Sequence, residues 1–193
     1  VLSVLGVAAL VGIQILPIVA SQEAVIVDRA LVALTVVSVP VLVFVVVGLL
    51  YSAIRFRAGN DDADGPPIHG HRRLEAGWVL GTLVMVIGLA AYGTIGLLEI
   101  RGDQHADLEV QVHSKQWAWE FEYPDFGLES EELILPVGRR VHMTIVSSDA
   151  IHSLSVPAFG IKQDAVPGRV TELFVTPNLT GTYGAQCAEL CGL

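Results

Sequence analysis

Residues 108–123 read LEVQVHSKQWAWEFEY, and their alternation characterises the second half of the chain. Apolar residues occupy every second position in LEVQV and again in WAWEFEY. This period of two is typical of β-strands with one buried face. The apolar positions are even-numbered in the first run and odd-numbered in the second, so we expect a β-bulge across Ser114–Gln116 that lets both runs face one core.

Further runs typical of strands follow, and turn signals rich in Gly, Pro, Ser and Asp separate them. They cover residues 133–137, 141–146, 151–156 and 170–175. Several short strands at this spacing indicate an all-β sandwich or barrel. We therefore predict one all-β domain over residues 99–193.

The first half of the chain is continuously apolar instead of alternating. Residues 30–54 and residues 77–98 carry no charged side chain. Each segment is long enough to cross a bilayer as a helix, which takes about 20 residues, and a membrane helix tolerates Pro40 as a kink. We therefore predict a transmembrane helical hairpin over residues 21–98, with helices at about 30–54 and 77–98.

A third uncharged segment, Val1 to Leu16, lies in the N-terminal stretch 1–20. It is slightly shorter than a spanning helix requires. Two interpretations stay open: an extra transmembrane helix, or the remnant of a signal peptide whose cleavage region is VASQ, residues 19–22.

Basic residues next to the predicted helices give the orientation. The connection between the helices carries Arg55, Arg57, Arg72 and Arg73 beside the membrane ends. Positive charge of this kind stays on the cytoplasmic side. We therefore expect the connection to be cytoplasmic and the β domain to be extracytoplasmic.

Composition agrees with a membrane segment joined to an acidic domain. Charged residues make up 16% of the chain, whereas soluble domains average about 25%. The formal net charge is −9, of which −8 falls on residues 99–193. Such a charge excludes nucleic acid as a partner, because phosphate contacts need Lys and Arg. It suits a basic protein partner, although an acidic surface can also serve solubility alone.

The only two cysteines of the chain are Cys187 and Cys191, in GTYGAQCAELCGL at residues 181–193. A disulfide can persist outside the cytoplasm, and the C-x-x-x-C spacing differs from the C-x-x-C of zinc and redox sites. Spacing alone therefore favours a disulfide over a metal. His152, in DAIHSLSVPAFGIKQDAVPGR at residues 149–169, changes that balance, because paired thiolates and an imidazole suit copper.

Taken together, four ordered motifs resemble the cytochrome c oxidase subunit II family. The two segments just quoted resemble its copper-site segments. KQWAWEFEYP at residues 115–124 resembles its aromatic strand, and LEAGW at residues 74–78 resembles the start of its second membrane helix. The resemblance covers roughly residues 28–193. It implies a membrane α-helical hairpin followed by an all-β, cupredoxin-like Greek-key domain.

This resemblance implies a dinuclear copper centre, CuA, in the β domain. Cys187 and Cys191 would each bridge both coppers, and His152 would bind one of them. Glu189 would give its backbone carbonyl to copper and its carboxylate to a Mg²⁺ shared with subunit I. The family places a second histidine four positions after Cys191 and a methionine three further on. The sequence stops two residues after Cys191, so we expect the CuA domain over 99–193 to be C-terminally incomplete.

Two further roles come from the resemblance. Trp117 corresponds to the exposed tryptophan through which cytochrome c delivers its electron, although Ala118 stands where the family usually has an aromatic residue. Glu75 corresponds to a glutamate at the mouth of a proton path into subunit I. Without the resemblance, periodicity would make Trp117 a core aromatic, and its place beside the membrane would make Glu75 an interfacial carboxylate.

The function that the resemblance implies is that of subunit II of a cytochrome c oxidase. Such a chain accepts electrons from cytochrome c, or from a small copper protein, at CuA and passes them to haem in subunit I. Oxygen is reduced to water there, and protons cross the membrane. Haem would be held only by the partner subunit, and the other partners would be further oxidase subunits and lipid of a cell or inner mitochondrial-type membrane.

Two alternatives belong to other classes of protein. One is subunit II of a quinol oxidase, which lacks copper. The other is a membrane-tethered binding protein whose two cysteines form a disulfide.

Overall fold

The structure is a computed structural model that describes residues 18–57, 67, 69–102 and 105–192. The expectations for the N-terminal segment 1–20 lie outside the described residues, apart from its last three positions.

Two long helices precede the β domain in the described part of the chain. Helix α1 covers Gln22–Arg55 and helix α2 covers Arg72–Arg101. Both are long and apolar enough to cross a membrane, with mean hydropathies of 2.9 and 2.0. Each begins with a glutamate in its first turn and ends with an arginine in its last turn, charges that complement the helix dipole. The two predicted helices are therefore confirmed, and both extend beyond the predicted apolar runs.

Eight strands follow in the described residues. They are β1 Leu108–Lys115, β2 Ala118–Tyr123, β3 Leu128–Ser130, β4 Val141–Ser147, β5 His152–Val156, β6 Ile161–Ala165, β7 Thr171–Val175 and β8 Gln186–Cys187. One sheet has the order β3-β2-β1-β4-β7, and the other has the order β6-β5-β8. Strands β1 and β4 are parallel, and the other pairs are antiparallel.

One hydrophobic core holds the two sheets together. The first sheet contributes Val112, Met143 and Ile145, and the second contributes Leu154 and Val156, all of them buried. Each such apolar side chain contributes about 1.5–3 kcal/mol when it is fully buried. The predicted fold class, two long apolar helices followed by an all-β domain, is confirmed.

The predicted bulge at Ser114–Gln116 is wrong. Strands β1 and β2 form an antiparallel hairpin in which Lys115 pairs with Ala118, so Gln116 and Trp117 form its two-residue turn. In this register Val112 lies opposite Phe121, and both are buried. The chain reverses direction here, and an odd-numbered residue therefore faces the same core as its even-numbered partner.

The strand predicted over residues 133–137 is also wrong, because this segment runs without strand pairing. Leu133 and Leu135 pack against the core, which accounts for the apolar pattern. The Ile134 N–H donates to the Tyr123 hydroxyl over 2.7 Å, and Pro136 has no N–H to offer a neighbouring strand. The alternation here arises because these two side chains, two positions apart in an unpaired segment, pack against the core.

Residues 18–29 pack as part of the same compact unit as residues 96–102 and 105–192. Ser21 accepts a hydrogen bond from the Ala24 N–H at the start of α1 and donates one to the Phe159 carbonyl, over 2.9 and 2.8 Å. Buried Glu23 lies 3.4 Å from Arg140 and accepts from the Thr176 N–H over 2.9 Å. The first turn of α1 is thereby anchored to the β domain.

Candidate metal centre

Pairing between β5 and β8 builds the candidate centre. His152 is the first residue of β5, Cys187 is the last residue of β8, and Leu154 pairs directly with Cys187. The Ala188 N–H donates to the Ser153 carbonyl over 2.9 Å, which continues the pairing past the strand end. Two segments far apart in sequence therefore place an imidazole beside a thiol.

The three soft donors form one cluster. His152 Nδ1 lies 3.9 Å from Cys187 Sγ, and the two sulfur atoms lie 3.9 Å apart. The three ligand atoms all lie within 4.8 Å of one another. Both thiols are free. The His152 side chain is only 2% exposed, so the cluster combines a buried imidazole with sulfur atoms that are closer to the surface.

Asp149 fixes the orientation of the imidazole. Its Oδ1 lies 2.8 Å from His152 Nε2. This contact holds a proton on Nε2 and leaves the Nδ1 lone pair directed at Cys187, an arrangement common for metal-binding histidines. The same carboxylate accepts from the N–H groups of Gln116 and Ala150, each over 2.6 Å. Hydrogen bonds from His152, Gln116 and Ala150 lower the pKa of Asp149, so the carboxylate stays ionised.

The thiols and the imidazole influence one another's ionisation. Burial opposes charge on His152, but hydrogen bonds with Asp149 and Cys187 outweigh it and raise the His152 pKa. Burial likewise opposes ionisation of Cys187, but hydrogen bonds with Ser153, Glu189 and His152 lower the Cys187 pKa. Burial and the neighbouring Cys187 raise the Cys191 pKa. Cys187 is therefore the more easily ionised of the two thiols, and a bound cation would favour ionisation of both.

Glu189 lies between the two cysteines, as the resemblance requires. Its backbone carbonyl is 3.7 Å from Cys187 Sγ. Its carboxylate is partly exposed and lies 3.9 Å from Lys162 Nζ, which in turn contacts Asp164 over 3.1 Å. The backbone of Glu189 therefore faces the sulfur cluster, while its side chain faces β6.

The two tryptophans of the hairpin have different surroundings. Trp117 is 68% exposed and lies in the turn between β1 and β2. Trp119 is partly buried, and its ring makes an edge-on contact with the His152 ring at a centroid distance of 6.0 Å. The hairpin therefore presents one aromatic ring to solvent and another to the ligand cluster.

Glu75 lies in the separate helical unit. Its carboxylate accepts from the His71 N–H over 3.0 Å, and the Leu74 N–H donates to His71 Nδ1 over 3.1 Å. These reciprocal bonds resemble a capping box at the start of α2. The capping contact is a structural role that the sequence analysis did not assign to Glu75.

Sequence analysis also missed Asp149 and Gln116. For Asp149 a signal exists in DAIH, where a carboxylate stands three positions before a candidate ligand. Gln116 is adjacent to Trp117 in the sequence, but nothing local indicates its contacts with residues far along the chain.

Comparison with known proteins gives consistent relatives. The family model for the periplasmic domain of cytochrome c oxidase subunit II matches residues 127–193. Cytochrome c oxidase subunit 2 of Thermostichus vulcanus is 30% identical over 232 residues, covering 92% of this chain and 71% of the relative. The subunit 2 of Cereibacter sphaeroides is 28% identical over 190 residues, covering 78% of this chain and 62% of the relative.

A solved structure is also similar. The periplasmic domain of subunit II of the cytochrome oxidase of Bradyrhizobium japonicum is 34% identical, with a TM-score of 0.44, covering 46% of this chain and 77% of that chain. The helices and the matched periplasmic family indicate a membrane protein with an extracytoplasmic β domain. At 30% identity over 71% of the length of the Thermostichus vulcanus relative, this chain belongs to the cytochrome c oxidase subunit II family.

Proposed function

We propose that this chain accepts single electrons from cytochrome c or a small copper protein at a dinuclear CuA centre. It passes them to haem in subunit I, where oxygen is reduced to water and protons cross the membrane. The observation that carries the proposal is the cluster of His152, Cys187 and Cys191, whose ligand atoms lie within 4.8 Å of one another.

The chemistry of the donors fits copper. Thiolates and imidazoles are the ligands that copper sites in proteins use, whereas Ca²⁺ and Mg²⁺ prefer oxygen. A pair of copper ions bound here would supply one-electron transfer with little reorganisation, because the charge would be shared between the two metals. Cys187 and Cys191 would hold the copper through their sulfur atoms, His152 would hold it through Nδ1, and Glu189 would hold it through its backbone carbonyl.

The carboxylate of Glu189 serves a second metal in this proposal. It is a hard oxygen ligand of the kind that Mg²⁺ takes, and it would bind Mg²⁺ at the contact with subunit I. Its neighbour in the structure is Lys162, at 3.9 Å. Binding of Mg²⁺ would therefore replace an ammonium contact that is partly exposed and weak.

The rest of the chain provides the anchor and the donor surface. Helices α1 and α2 span the membrane as a hairpin over residues 21–98, with their connection in the cytoplasm. Glu75 lies at the cytoplasmic end of α2 near a proton path into subunit I. The β domain over residues 99–193 presents a net charge of −8, which attracts a basic electron donor. Trp117 is where that donor's electron enters.

The experiment that tests the proposal is a metal count on the purified native complex. Copper bound to this chain, together with a near-infrared absorption band that disappears on reduction, is the expected result. A copper-free complex that oxidises quinol would establish the quinol oxidase alternative. Titration of thiols on the copper-stripped chain should find two free thiols without reductant; thiols that appear only after reduction would establish the disulfide alternative.

Replacement of Asp149 by asparagine should weaken copper binding roughly tenfold, since loss of a carboxylate that orients a metal-bound histidine typically has this size of effect. Competition with a Cu(I) chelator measures the change. Asp164→Asn is the matched control, because Asp164 bonds to Ser153 over 2.7 Å rather than to a ligand side chain. Equal copper affinity in both variants would contradict the role of Asp149.

A further inference from the structure

We infer that Gln116 is a positioning residue that ties the turn carrying Trp117 to both ligand-bearing segments of the metal centre. The inference rests on the proposed function, because it concerns how the electron-accepting turn is held against the copper ligands. Each of these two ties is a hydrogen bond: the main-chain N–H of Gln116 makes the first, and its side-chain amide makes the second.

The first tie runs through Asp149 to His152. The Gln116 N–H donates to Asp149 Oδ2 over 2.6 Å, and Asp149 Oδ1 contacts His152 Nε2 over 2.8 Å. Next to it, the Ser148 N–H donates to the Ser114 carbonyl over 3.1 Å. The end of β1 is therefore bound to the loop that leads into β5 and its histidine.

The second tie runs directly to Cys191. The Gln116 side-chain amide donates from Nε2 to the Cys191 carbonyl over 2.5 Å. Gly192 makes this close approach possible, since a Cβ at that position would lie 2.6 Å from Gln116 Nε2. Its φ of +116° is also one that side-chain-bearing residues rarely adopt. The amide therefore reaches the main chain of a ligand beside a glycine whose backbone conformation disfavours other residues.

Trp117 depends on these ties for its place. With 68% of its surface exposed, its ring gains little fixation from packing, so the main chain of the turn determines where it lies. Because the turn is hydrogen-bonded to the segment that carries His152 and to the segment that carries Cys191, it keeps one position relative to both residues. Small errors in the placement of reacting groups can reduce rates by large factors, and supporting contacts of this kind hold a site in its working geometry.

A role in positioning differs from a role in binding the donor. If Gln116 only contacted the donor, its loss would raise the donor KM and leave electron transfer within the bound complex unchanged. As a positioning residue, its loss leaves the donor KM unchanged and slows transfer within the bound complex. It also loosens the turn and the Cys191 segment together, even when no donor is present.

The test is Gln116→Leu in the purified complex, with Gln111→Leu as the matched control. Leucine keeps the main-chain tie and removes only the side-chain amide, and Gln111 is an exposed glutamine on β1, the strand that leads into the turn. Hydrogen exchange of peptides spanning residues 113–119 and 186–192 is measured on copper-loaded and copper-stripped complex. Loss of one hydrogen bond corresponds to roughly a fivefold faster local opening. We expect this faster exchange in both peptides of Gln116→Leu and in neither peptide of Gln111→Leu.

Electron transfer gives the second readout. Single-turnover transfer from bound donor to copper should slow about tenfold in Gln116→Leu at unchanged donor KM and copper content. Unchanged hydrogen exchange, or a raised KM with normal transfer, would overturn the inference while the proposed function stands. Absence of copper from the unaltered native complex would overturn the proposed function and this inference with it.

Discussion

Replacement of Cys191 by serine is expected to abolish oxidation of the electron donor and to remove bound copper. The substitution exchanges a soft thiolate for a hydroxyl, which is a poor ligand for copper and has no sulfur orbital to bridge two metals. The β domain should still fold, because Cys191 lies outside the hydrophobic core. Elemental analysis of the purified complex, together with the rate of donor oxidation, measures the result.

Two comparisons make this prediction specific. Leu190→Ala changes a neighbouring side chain that is 90% exposed, and copper content and turnover should stay normal. Copper-stripped Cys191→Ser should contain one titratable thiol, since Cys187 and Cys191 are both free. Normal copper content and a normal rate of donor oxidation in Cys191→Ser would show that the function does not need the paired sulfurs.

Periodicity predicted the type of each half of the chain, because burial of apolar side chains determines both patterns. The uncharged runs predicted α1 and α2, although not their full length. Glu23 and Asp28 interrupt the apolar run before residue 30, yet α1 begins at Gln22 and buries Glu23 against Arg140. The partner of Glu23 lies 117 positions away, and no local pattern could reveal it.

Alternation records which face a residue occupies but not the direction of the chain. A bulge and a hairpin both shift the parity of buried positions, so the run through Gln116 was compatible with either. Strand β6 could not be predicted from the sequence, because its residues IKQDA do not alternate. Only its ends, Ile161 and Ala165, are buried, and the strand forms because β5 is available to pair with it.

Residue chemistry and the family resemblance together singled out His152, Cys187 and Cys191, which the structure brings into one cluster, and tertiary structure added the contacts that support them. Cysteines and a histidine could be chosen from the sequence because few residue types bind copper well. Asp149 and Gln116 are common polar residues, whose importance comes from contacts made across the fold. Gln116 lies 33 positions from Asp149 and 75 from Cys191.

A second large effect is expected at the tip of the β1–β2 hairpin. Trp117→Ala should lower kcat/KM for donor oxidation by roughly 30-fold or more, which is the size expected when a central aromatic contact of an interface is truncated. In the proposed function the exposed ring of Trp117, carried by the anchored turn, is the apolar contact for the donor. Copper content should stay normal, because Trp117 contributes no ligand atom to the cluster of His152, Cys187 and Cys191.

The control for this variant is Phe126→Ala. Phe126 is an exposed aromatic residue of similar accessibility, at 64%, and it follows β2 in the short helical turn Pro124–Phe126. That turn lies at the opposite end of the hairpin from Trp117, so donor oxidation should be unchanged. A small diffusible reductant that does not need the protein interface should reduce both variants at similar rates. Equal loss of donor oxidation in the two variants would indicate a general surface effect, and an unchanged rate in Trp117→Ala would take this residue off the electron path.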